Sequence, residues 1–258
     1  MKRLYEKSEL WFALFWIALF SAGQSLANPL NTWIGIEASA NALLNIALTA
    51  FLFRWIRKNG LMERYGLCRS RLPARRFLWY LPLVLLASHN LWNGAAVNFS
   101  LLDGLCYIGY MISVGFVEEV LFRGFLFRAV AGDSVRLAAV ISSVTFGLGH
   151  LLHLVNGSGA ELVPNLCQAF GAMAVGFLFV TIFYRGGSLL PCIFTHSAID
   201  AVSAFANETG LTVGRRVVLS LAEAAVAILY ALFLARSLPV ESHGRGDGGQ
   251  KTDKEKVK

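Results

Sequence analysis

The sequence predicts an all-α fold, a polytopic membrane bundle of about eight transmembrane helices, and three observations predict it. The chain of 258 residues is 56% hydrophobic and 15% charged, with a mean hydropathy of +0.57. A soluble domain usually carries about 25% charged residues. The charge is also bunched, so that Leu10 to Ala27 and Leu162 to Tyr184 contain none. Apolar runs of about 20 residues are long enough to cross a bilayer as helix. Finally, basic residues crowd some connections and are missing from others, as alternation across a membrane requires.

The elements follow in order. The spans predicted are Leu10–Ala27, Ile34–Phe53, Phe77–Trp92, Leu105–Val130, Leu137–Leu154, Leu162–Tyr184, Leu189–Ala206 and Val217–Ala235. Lys2, Arg3 and Lys7 precede the first, and eight basic residues from Arg54 to Arg76 follow the second. Asn28 to Trp33 and Ser88 to Asp103 hold no Lys or Arg. An even number of crossings leaves both termini on one side, and the basic N-terminus makes that side cytoplasmic, in a cell membrane. Arg215 and Arg216 fall on the opposite side in this arrangement, which makes the last hairpin its weakest part. Pro82 and Pro164 are tolerated where neighbouring helices satisfy the freed carbonyls.

Lys2, Arg3, the apolar core from Leu10 and the small residues up to Ala27 also resemble a signal peptide. The run continues past about 15 residues and many spans follow, which favours an uncleaved first helix. Residues 1–237 thus read as one transmembrane domain, and residues 238–258 as a disordered hydrophilic tail. A net charge of +7 spread over alternating loops, rather than gathered on one soluble face, argues against nucleic acid as a partner. Cys68, Cys106, Cys167 and Cys192 form no C-x-x-C pair and read as small buried hydrophobes.

Ionisable side chains inside hydrocarbon cost on the order of 2.5–3.5 kcal/mol each on insertion scales, so each one calls for a function. The fourth span carries Glu118, Glu119 and Arg123. Glu119 and Arg123 are one turn apart and share a helix face. Glu118 is rotated by about 100° and lacks that partner, which leaves it available for acid–base work. His150 ends Phe146-Gly147-Leu148-Gly149-His150 in the fifth span, and His196 precedes Asp200 by one turn in the seventh. The histidines are assigned to chemistry and neither to packing. Glu37, His89, His153 and Glu223 show no comparable constellation and read as loop, interface or pore-lining residues.

Glu118-Glu119-x-x-x-Arg123, Phe146-x-x-x-His150 and His196-x-x-x-Asp200, in order on successive spans, resemble the type II CAAX prenyl endopeptidase family. This is the CPBP or Abi family of glutamic intramembrane proteases. The resemblance covers roughly residues 109–206 and rests on the three motifs together. It implies that Glu118 polarises a water together with His150, that Glu119 and Arg123 form a supporting pair, and that His196 and Asp200 stabilise the oxyanion. An ionised Asp cannot donate to an oxyanion, so Asp200 reads instead as orienting His196 and stabilising its protonated form.

The substrate implied is a membrane-embedded or lipidated peptide or protein, with no cofactor expected. Two alternatives stay open. Glu118, His150 and His196 could hold zinc, although no H-E-x-x-H occurs. The buried charges could also serve a non-enzymatic scaffold or a transporter, although no internal repeat is seen.

Overall fold

Helix boundaries follow the capping residues. In the computed structural model, which describes residues 1–154 and 161–239, a short helix α1, Lys2–Lys7, ends at Ser8. The Ser8 hydroxyl accepts the Trp11 amide at 3.2 Å and opens α2, Glu9–Ile34. Ser25 to Ala27 lie inside this continuous helix, which stops at Gly35 with φ 79°. Ser39–Lys58 forms α3, with Arg57 and Lys58 in the last turn, where cations suit the helix dipole.

The third predicted span is corrected. The backbone turns left-handed at Leu78, Trp79 and Tyr80 (φ 50°, 54° and 58°), which ends any helix entering from Phe77. Helix α4 starts only at Leu81, with Pro82 in its first turn, where a missing N–H has no intrahelical bond to lose. It ends at Ala87 after 7 residues, far short of the roughly 20 that a crossing needs.

Ser100 caps α5, Leu101–Glu119, its hydroxyl accepting the Asp103 amide at 3.3 Å. The rod continues through a π-helical turn, Val120–Leu126, into α6, Phe127–Ala131. Ser134 caps α7, Val135–Gly149, which tightens into a 3-10 turn at His150–Leu154. Then come α8, Leu162–Gly186, α9, Leu190–Val202, and α10, Val213–Ser237.

The seventh predicted span is also shorter than expected, because α9 gives way to a 3-10 turn at Ser203–Phe205. Among the described residues, 6 helices are long and apolar enough to cross a membrane. They are α2, α3, the rod Leu101–Ala131, Val135–Leu152, α8 and α10. No β-strand occurs among the described residues, so the all-α, multi-pass bundle stands, with α4 and α9 as shorter pieces.

Large apolar side chains face outward, among them Trp33 (85% exposed), Leu101 (84%) and Phe194 (70%), as lipid rather than water requires. Polar groups turn inward. The Gln24 amide of α2 bonds Asn41 and Asn45 of α3 at 2.9–3.1 Å, a polar clasp within the first hairpin.

Close crossings rest on glycines. A Cβ at Gly115 would lie 2.5 Å from the Ser197 nitrogen, so α5 and α9 meet backbone to backbone. A Cβ at Gly147 would lie 2.7 Å from the Ala169 carbonyl, and α7 meets α8 in the same way.

All four cysteines are free; Cys192 is buried and the others are partly so. The expected tail begins packed, since Leu238 is buried and its carbonyl accepts Arg185 Nη1 at 2.9 Å. Residues 240–258 and the side chain of His153 lie outside the described residues.

Candidate active site

The end of α5 and the π-turn after it carry three charged groups into the bundle. Glu119 and Arg123 are both fully buried, and Arg123 Nη1 donates to Glu119 Oε1 at 2.9 Å. The guanidinium lies over the Phe146 ring of α7, 4.0 Å from its centroid, and faces Phe179 of α8 at 5.7 Å. A Cβ at Gly176 would stand 3.0 Å from Arg123 Nη2, so the absence of a side chain there makes room for the cation.

π-Turns inside α-helices are rare and gather at functional sites. Here the wider winding leaves carbonyls for outside partners, and the Phe122 carbonyl accepts the Ser142 hydroxyl of α7 at 2.8 Å. Ser142 is itself completely buried.

Helix α9 brings His196 onto this pair. Its Nδ1 donates to Glu119 Oε1 at 2.8 Å, because a carboxylate oxygen can only accept. One glutamate oxygen therefore receives both the guanidinium and the imidazole. The other ring nitrogen, Nε2, stands 3.3 Å from Asp200 Oδ2 and 3.6 Å from Glu118 Oε2. His196 is 6% exposed and packs against Phe146 at 5.5 Å between ring centroids. Fixing one imidazole nitrogen so that the other addresses the reaction site is the usual way a protein aims a histidine.

The His150 ring stands edge-on to the same Phe146 at 5.3 Å, and its carbonyl accepts Asn165 Nδ2 at 2.9 Å, which ties α7 to α8 at this level. Glu118, His150, His196 and Asp200 all line one cavity of about 660 Å³, whose wall also includes Tyr107, Tyr110 and Met111. A volume of roughly 300–1,000 Å³ is usual for a ligand site. Of the six residues singled out in the sequence, four reach this cavity. Glu119 and Arg123 lie behind it, where they hold His196 from below.

Among the described residues, no three His, Cys, Asp or Glu side chains converge as a metal-binding group. Glu118, His150 and His196 share the cavity without forming one.

Residues 100–202 match the model of the Rce1-like type II CAAX prenyl endopeptidase family. Over this stretch the chain is similar to that family. The match encloses every one of the six site residues and agrees closely with the span of the motif resemblance. The CAAX endopeptidase family implies a peptidase, here in a multi-pass membrane protein. Comparisons with curated proteins and with solved structures found no match.

Several residues around this site were invisible to motif reading. Ser142, Gly176 and Asn165 act on the site from other helices, and no spacing rule links them to it. The sequence reads His89 and Glu223 as loop, interface or pore-lining residues. They line the same cavity, with His89 Nδ1 3.8 Å from Glu223 Oε1. Glu37 is an exposed loop residue whose amide donates to Asp103.

Proposed function

We propose that the chain is a glutamate-dependent intramembrane endopeptidase that hydrolyses a peptide bond of a membrane-embedded or lipidated peptide or protein. The observation that carries this reading is the Glu118–His196 gap. Glu118 Oε2 and His196 Nε2 face each other at 3.6 Å on the wall of a cavity enclosed by apolar helices. Both atoms can hydrogen-bond one substrate water at that separation.

The chemistry balances on the chain's own residues. The Glu118 carboxylate takes a proton from the water as its oxygen adds to the peptide carbonyl carbon. The carbonyl oxygen gains the negative charge. His196, held as the imidazolium between Glu119 and Asp200, supplies a nearby positive charge for that oxyanion. When the tetrahedral intermediate collapses, Glu118 returns the proton to the leaving amine. Asp200 thereby acts on the histidine and not directly on the oxyanion. On this reading His150 completes the cavity wall and orients the water from the 3-10 turn that follows α7. Phe146, against which His150, His196 and Arg123 all pack, keeps bulk water from the buried pair.

The reaction needs no cofactor on this reading. Near-stoichiometric zinc in active purified protein, whose removal abolishes cleavage, would overturn that part. The partners are the bilayer and a peptide within or anchored to it. The location is the cell membrane with both termini cytoplasmic, supported by the basic N-terminus and the even number of long spans. A quantitative comparison of membrane peptides in cells with the chain and with its Glu118→Gln variant tests the proposal. New peptide termini that depend on Glu118 are expected; identical peptide profiles would contradict it.

A further inference from the structure

The cavity continues beyond the catalytic centre to a second pair of titratable groups, which the hydrolytic chemistry leaves unused. Glu223 sits in the middle of α10, a helix apolar enough to span the membrane, with its side chain only 13% exposed. Its carboxylate makes no hydrogen bond among the described residues. The nearest charged group to it is His89, at 3.8 Å, which is charged only when protonated. That histidine is already committed elsewhere. Its Nδ1 donates to the Leu86 carbonyl at 3.1 Å, so the atom closest to Glu223 cannot bond it at the same time.

A carboxylate in hydrocarbon without a hydrogen-bond donor is expensive and is kept where a ligand completes it. The fold also makes room for it. A Cβ at Gly171 of α8 would stand 2.9 Å from Glu223 Oε2, so any larger residue there would crowd the acid. Glu223 and His89 both line the cavity that Glu118 and Asp200 line. The two ends are mechanically tied, because Asn90, next to His89, donates through Nδ2 to the Ile199 carbonyl at 2.8 Å, one residue before Asp200.

The charge of the cavity points the same way. Among the described residues, its lining holds the carboxylates Glu118, Glu161, Asp200, Glu208 and Glu223, against one arginine, Arg216, and the His196 imidazolium. Arg216 is taken by Glu208 at 2.8 Å. A chain with a formal net charge of +7 thus encloses a locally acidic chamber.

We propose that Glu223, with His89 beside it, is a specificity subsite that binds a cationic group of the substrate, a Lys or Arg side chain near the scissile bond. The inference rests on the endopeptidase reading of the same cavity. A positive side chain drawn into the chamber completes the unbonded carboxylate and anchors the peptide while Glu118 and His196 act on its backbone. An apolar peptide gains nothing at Glu223.

The test uses the full chain purified in detergent and paired fluorogenic peptides that differ by Lys or norleucine at one position, scanned on both sides of the cleaved bond. At one position the Lys peptide is expected to show kcat/KM higher by about tenfold, chiefly through KM, as one charge-assisted contact gives. Glu223→Gln should bring that ratio near one, Glu223→Asp should restore most of it, and Glu223→Lys should reverse it toward an Asp peptide. No Lys preference at any position, or a preference that survives Glu223→Gln, overturns the proposal. Binding of the same labelled peptides to the Glu118→Gln chain separates the two claims. Glu223-dependent retention of the Lys peptide without cleavage by the wild type would sink the peptidase reading and leave the cationic site standing. Equal retention of both peptides would sink the subsite alone.

Discussion

Glu119 Oε1 accepts from Arg123 at 2.9 Å and from His196 at 2.8 Å, with every group nearly or fully inaccessible. Removing that carboxylate leaves a guanidinium and an imidazole without their counter-charge inside a membrane helix bundle. Breaking a buried pair in this way costs about 3–5 kcal/mol. Glu119→Ala is therefore expected to unfold at much lower temperature in detergent, alongside a loss of activity. The sequence expectation for His196 was chemistry without packing, and the bond from Nδ1 changes it. His196→Ala should lose both cleavage and some thermal stability, and His150→Ala should lose cleavage. An inactive His196→Ala protein with the unfolding temperature of the wild type would show that the Glu119 bond contributes nothing to stability.

The site is assembled by helix crossings, and this is where the sequence was legible only in part. Helical spacing placed Glu119 with Arg123 and His196 with Asp200, because an interval of four is local geometry. It could not show that Phe122, inside a π-turn, would present its carbonyl to Ser142, since nothing in Val120–Leu126 marks a wider winding. It also could not show that the run Phe77–Trp92 breaks at three left-handed residues, because apolar composition reads alike in a spanning helix and a folded one. Two substitutions test the crossings. Ser142→Ala strands a buried carbonyl and should cost about 1–3 kcal/mol. Gly115→Val drives a side chain into the Ser197 backbone and should cost at least about 1–3 kcal/mol. Gly109→Ala, with nothing within 4 Å, is the control and should lose no stability in the same thermal melt.

At the scale of the molecule, a shell of outward apolar side chains surrounds a cavity whose charges are internal, as the proposed hydrolysis within a bilayer requires. Membrane class and the similarity to the Rce1-like family over residues 100–202 were open to reading from composition and motif. The acidic far end of the cavity was not, because His89 and Glu223 are 134 positions apart in the chain (89 to 223) and meet only through folding. Orientation is tested with single cysteines at Lys2 and Ser237 in a cysteine-free background. Both should react with an impermeant thiol reagent only from the cytoplasmic face; reaction of either from outside would invert that end of the arrangement. The most direct test of the whole account is Glu118→Gln, assayed for cleavage of a Glu118-dependent peptide and for thermal unfolding in detergent. The account predicts a protein that melts like the wild type and cleaves at least about a hundredfold more slowly, the contribution of a positioned base. A folded Glu118→Gln enzyme with wild-type cleavage would contradict it.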